Sequence, residues 1–177
     1  MTRPHALIAF GLCTIASVLT VLAAPGQSAG SSADFEAMLR QVEAAQGELV
    51  RGRVAAFKEV WSHSEDATLI GGLGGAIEKG WPNVSARLDW VGTQFSDGTR
   101  KQEEIARRVA GDLAYVVQRE TLQYRRPSNR EAVTQELRVS MVFRQEAGRW
   151  RLVHRHADSQ TEKPAALVRL GGMREHQ

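Results

Sequence analysis

The side chains best suited to chemistry crowd into one stretch near the C-terminal end. It reads Gly148-Arg149-Trp150-Arg151-Leu152-Val153-His154-Arg155-His156, with Asp158 two residues on. In an extended chain alternate residues share a face, so His154, His156 and Asp158 would stand together. Two imidazoles and a carboxylate can hold zinc or supply a general base. No residue nearby completes a ligand set, and nothing in the sequence places His63 beside them. We therefore assign no metal site and read His154 and His156 as acid–base candidates or packed interface residues. Arg155 falls between them and points the other way, among apolar neighbours. A guanidinium there can grip a carboxylate through two parallel hydrogen bonds. It could equally pair with a glutamate or run its charge out to the surface.

Other chemistries lack their residues. No serine sits in a nucleophile elbow. Gly71, Gly72, Gly74 and Gly75 cluster without the Gly-Lys-Ser/Thr of a phosphate loop or the third glycine of a dinucleotide turn. No cofactor is implied. The single cysteine, Cys13, excludes an intramolecular disulfide and a cysteine-rich zinc site. A net charge of +3, scattered along 177 residues, gives no reason to expect nucleic acid as a partner.

The composition, 42% hydrophobic and 24% charged, is that of a globular chain but pools two unlike pieces. Arg3 is followed by an uncharged run over residues 6–24 and then by small residues. That order is the pattern of a secretory signal peptide. Val21-Leu22-Ala23 suits the cleavage rule, with Gly26-Gln27-Ser28 as a second option. An uncleaved anchor is the competing reading, since the run is just long enough to span a bilayer. We take residues 1–23 as the signal peptide, residues 24–33 as a linker and residues 161–177 as a flexible tail. The expected location is outside the cytoplasm, periplasmic or secreted, with no stable membrane span after processing.

Elements to position the candidate residues follow from periodicity. Apolar residues from Phe35 to Trp61 recur at helical spacing, so one face of residues 34–61 should be buried. Ser31 with Asp34 resembles a capping box. Gly47 and Gly52 can mark a kink or a break. Residues 67–70 and 76–79 read as short strands about the glycine cluster. Trp81-Pro82 suits a helix start, and Val84, Leu88, Val91 and Phe95 continue the stripe. The period then changes to two. Strands are expected at 101–110, 113–125, 130–145 and 149–158, joined by tight turns. If residues 146–148 form a three-residue turn, Gln145 pairs with Arg149, Met141 faces Val153 and Val139 faces Arg155. Arg151, Val153, Arg155 and Ala157 then share one face, and Trp150, Leu152, His154, His156 and Asp158 the other. A two-residue turn would mix these sets. Helices followed by antiparallel strands predict an α+β domain.

The closing hairpin, the Trp-Ser…Glu-Asp-Ala-Thr-Leu block at 61–69, the Gly-Trp at 80–81 and Gly111-Asp112-Leu113-Ala114-Tyr115 together resemble the nuclear transport factor 2-like superfamily. Within it the chain is most similar to SnoaL-like domains and to the association domain of calcium/calmodulin-dependent kinase. The resemblance spans residues 34–160. It implies a conical fold, with a long N-terminal helix and a curved antiparallel sheet around a pocket. It also implies one sheet face lining that pocket and the other often packing a dimer partner. Ketosteroid isomerases of the superfamily follow an Asp-Ala-Thr block with a base aspartate at the strand end. Here Asp66-Ala67-Thr68 leads only to Gly71-Gly72, and the position of the isomerase's protonated aspartate falls near Ser140. Fold alone does not give function. The expected function is binding of a small, partly apolar, acidic ligand, with Arg155, Tyr115, Met141, Trp81 and Trp90 as its contacts, in a homodimer. An isomerase, cyclase or lyase using His154 or His156 as base, and an oligomeric assembly module, stand as alternatives.

Overall fold

The structure, a computed structural model, describes residues 32–159. The expected signal peptide, linker and tail, and Ser31 of the expected capping box, lie outside the described residues apart from Ser32 and Ala33. Helix α1, Ser32–Leu49, buries Phe35, Met38, Val42, Ala45, Gln46 and Leu49. These recur every three or four residues, as an amphipathic helix requires. The apolar periodicity runs on to Trp61, but the helix does not. It stops before Gly52, whose φ of +84° belongs to no right-handed helix. A side chain at this position would also meet the Phe95 carbonyl at 2.9 Å. A short helix α2, Ala55–Glu59, resumes the buried stripe with Phe57. Gly47 sits inside α1 without breaking it.

The strands are β1 (Thr68–Ile70), β2 (Glu78–Lys79), β3 (Ser96–Ala110), β4 (Leu113–Arg125), β5 (Ala132–Glu146) and β6 (Arg149–Ser159). Helix α3, Trp81–Gly92, lies between β2 and β3. One six-stranded sheet results, in the order β2-β1-β6-β5-β4-β3. Every pairing is antiparallel except β1 with β6. β4 shows the expected period of two: Ala114, Val116, Gln118, Glu120, Leu122 and Tyr124 are buried, and their neighbours are more exposed. Helices α1 and α3 cover that inner face, where Phe35 packs against Phe143 and Trp150 at ring separations of 5.3 and 5.0 Å.

Two expectations need correction. β3 begins at Ser96 rather than Lys101, because Asp97 and Gly98 join the strand through an irregular step in its pairing with β4. The β5–β6 turn has two residues, not three. Glu146 pairs with Arg149, and Ala147 and Gly148 both take positive φ, 49° and 77°. Positive φ at both central positions is the type I′ turn, whose twist matches that of the strands it joins. A register shift beside Val142 and Phe143 then leaves Val153 as an extra residue. Met141 consequently faces Arg155, and Val139 faces Ala157. The bulge brings Trp150 and Leu152 onto the inner face with Arg155 and Ala157, where the three-residue turn had put them opposite.

Candidate functional site

A cavity of about 560 Å³, its open mouth included, lies between the inner face of the sheet, the helices and the glycine loop after β1. Leu49, Phe57, Leu69, Leu88, Phe95 and Leu137 make most of it apolar. Set into this wall is a polar cluster. Glu120, 1% exposed, sits between two arginines. Arg100 Nη2 donates to its Oε1 at 3.0 Å, and Arg155 Nη2 donates to its Oε2 at 2.9 Å. Gln118 Nε2 adds a third donor, to Oε1 at 2.6 Å. The arginine side chains are themselves only 4% and 11% exposed.

Three elements build the cluster. Inward parity on β4 places Gln118 and Glu120, the start of β3 supplies Arg100, and β6 beyond its bulge supplies Arg155. Burial works against the charge on Glu120. The nearby charges of Arg155 and Arg100, with the hydrogen bonds of Arg100 and Gln118, outweigh it and hold its carboxyl at about 2. Glu120 is therefore ionised at neutral pH and too weak a base to abstract a proton there. Two arginines against one glutamate leave one net positive charge facing an apolar space. The cluster also leaves hydrogen-bonding capacity unused. Nε of Arg100 and of Arg155 are buried donors with no partner among the described residues, and Oε1 of Gln46 and of Gln135 are buried acceptors in the same state. All four side chains line this cavity.

Of the residues singled out from sequence, Arg155 lines the cavity and the other four do not. Met141 is on the inner face but lines a separate polar cleft beneath α1. Tyr115 is 45% exposed on the outer face, since its neighbours Ala114 and Val116 take the inner one. Trp81 stacks on His63 at 3.9 Å in a shallow surface depression. Trp90 is 43% exposed on α3, with the Arg87 guanidinium 4.1 Å over its ring. It borders a depression that shares Leu73 with the cavity.

The histidines also face outward. His154 Nδ1 shares a hydrogen bond of 2.8 Å with Thr68 Oγ1, and His156 is exposed. Burial, aided by the charge of His156, lowers the pKa of His154, so its ring is neutral at pH 7. Asp158 accepts hydrogen bonds from Nε and Nη2 of Arg138, one on each carboxylate oxygen. No group of three or more histidine, cysteine, aspartate and glutamate side chains converges among the described residues. At the Gly71-Gly72 strand end, where the isomerases carry their base, a Cβ on Gly72 would come within 2.8 Å of a Leu137 methyl, so a side chain there would require Leu137 to shift. Asp66 instead forms a two-pronged pair with Arg144, and Ser140 is exposed.

The sequence reading missed Glu120 and Arg100. Glu120 carried a usable signal: it shares parity on β4 with Ala114, Val116, Leu122 and Tyr124, so a carboxylate was due on an apolar face. Arg100 was hidden because the expected strand began at Lys101, one residue beyond it, whereas β3 begins at Ser96.

The profile of the SnoaL-like domain matches residues 31–159. Among curated proteins none matches the chain significantly. Solved structures share the fold at low identity. A nuclear transport factor 2-like superfamily protein from Salmonella enterica superposes with a TM-score of 0.64 at 19% identity, covering 75% of this chain and 93% of that one. A protein from Thiobacillus denitrificans, described as a calcium/calmodulin-dependent protein kinase type II association domain, gives 0.57 at 20%, covering 71% and 94%. A ketosteroid isomerase-like protein from Erwinia carotovora atroseptica gives 0.60 at 16%, covering 73% and 96%. Family profile, sheet order and inner-face cavity agree, and the chain belongs to the SnoaL-like domain family, with the nuclear transport factor 2-like fold.

Proposed function

We propose that this chain is an exported binding domain whose cavity takes a small, partly apolar carboxylic acid. The observation that carries the reading is the pair of buried arginines flanking a single ionised carboxylate, each with its Nε unpartnered among the described residues, in a wall that is mostly apolar. A cation excess in a low-dielectric site favours an anion, and the apolar wall favours a ligand with a hydrocarbon body. Binding rather than catalysis fits because Glu120 is held as a weak base and both histidines of β6 face away from the cavity. Export rests on the basic, apolar and small-residue order of residues 1–29. A homodimer rests on the outer face of the sheet, where Leu113 and Tyr115 are 48% and 45% exposed.

Calorimetric titration with phenylacetate and with benzyl alcohol tests the ligand class, because the two differ in the carboxylate. Phenylacetate should bind at least about tenfold more tightly, and Arg155→Met should remove that preference. Equal binding of the two, or a preference that survives in Arg155→Met, would defeat the reading.

A further inference from the structure

The unpartnered atoms of the cavity are not all donors. Gln135 Nε2 donates to the Gly72 carbonyl at 2.8 Å. A carbonyl oxygen can only accept, so this bond fixes which end of the amide is which. Gln135 Oε1 is thereby presented as an acceptor, buried and without a partner among the described residues, on the same cavity wall as the two arginines. Its position follows from the sheet: Arg100, Leu122 and Gln135 lie side by side across β3, β4 and β5. A plain carboxylate can use the arginine donors but has no hydrogen to give this oxygen. A buried acceptor left unmet is costly, so a ligand that brings a donor to it gains more than one that does not. Sites built to hydrogen-bond a hydroxyl discriminate strongly against the analogue that lacks it.

We propose that the ligand class is a small carboxylic acid that also carries a hydroxyl or N–H donor, its acid group held by Arg100 and Arg155 and its donor taken by Gln135. This rests on the acid-binding reading of the same cavity and narrows it. A hydroxy acid satisfies both halves of the site with one compact molecule, and the apolar wall takes its hydrocarbon remainder. Gln46 Oε1 lines the same space and offers a second place for a donor.

The test titrates matched probes into the full-length mature chain: phenylacetate against mandelate, and isovalerate against α-hydroxyisovalerate. Benzyl alcohol, which has the hydroxyl and no carboxylate, is the control. In at least one pair the hydroxy acid should bind about fivefold or more tightly than the plain acid. Gln135→Met keeps the bulk and removes the acceptor, so the ratio of hydroxy-acid to plain-acid affinity should fall to about one, whatever the plain acid's own affinity becomes. Equal affinity within both pairs would overturn the proposal and leave acid binding standing. So would a hydroxy-acid preference that persists in Gln135→Met. Binding of benzyl alcohol as tight as that of any acid, or no binding of any acid, would overturn the acid-binding reading and this inference with it.

Discussion

Arg155 illustrates what a residue type can and cannot reveal by itself. Its place among apolar neighbours marked it as a cation on an inner face, and that is where it stands. The partner that fixes it, Glu120, comes from a strand 35 residues earlier and could be found only by comparing parities across β4 and β6. Removing the partner should be more harmful than the net contribution of the pair suggests, because two guanidinium groups would remain buried against one neutral amide. Glu120→Gln should therefore lower the unfolding free energy by about 3 kcal/mol, read from urea denaturation. Acid should weaken the same contacts. Glu120 has a folded pKa of about 2 against 4.5 when free, so its stabilisation is complete above 4.5 and fades as pH falls toward 2. His154 adds an earlier step of the same sign. Its pKa is lowered in the fold, so protonation below its ordinary 6.5 also favours unfolding. Stability measured against pH should be flat above 7, dip below 6.5 and fall further below 4.5. Glu120→Gln should make the second fall smaller without removing it, because the carboxyls of Asp66 and Asp158, paired with Arg144 and Arg138, are also held below their ordinary values.

Most elements were legible because their periodicity is strong. The alternation on β4 located its strand to the residue, and the tight turns showed that the last four strands are antiparallel neighbours, but the parallel pairing of β1 with β6 was not legible. What escaped was local backbone chemistry. Gly52 was visible as a breaker, but whether it kinks or ends the helix depends on the approach of the Phe95 carbonyl, a contact between distant segments. The β5–β6 turn was misjudged because a type I′ turn usually carries Asn, Asp or Gly first, and here Ala147 takes that place. The error moved the expected inner-face set by one residue up to the bulge, which is why Trp150 and Leu152 were assigned to the wrong face and Arg155 to the right one. An alanine at positive φ is strained where glycine is not. Ala147→Gly should raise stability by about 1 kcal/mol in the same urea measurement, without altering ligand affinity.

At the scale of the whole molecule, a six-stranded sheet presents its two faces to different tasks. The inner face encloses the cavity with its arginine–glutamate cluster. The outer face carries Tyr115 and Leu113, with Val117 and Val142 half-buried among them. The sequence reading counts Tyr115 among the ligand contacts, and strand parity puts it on the outer face instead; the proposed homodimer would cover it there. Light scattering on the mature chain should give twice the monomer mass, and Tyr115→Glu should return it to the monomer without loss of acid binding. A wild-type monomer would remove the homodimer from the account. The expected signal peptide would add that the cavity fills outside the cytoplasm, so the ligand is one that the mature chain meets there.

Native mass spectrometry of the mature protein from its own host bears most directly on the central claim, that the cavity holds a small organic acid through Arg155. The account predicts a retained adduct of a small molecule that fragments as a carboxylic acid, present on wild-type protein and absent from Arg155→Met. A neutral molecule or a metal ion in its place, or an acid adduct that Arg155→Met keeps in full, would contradict it.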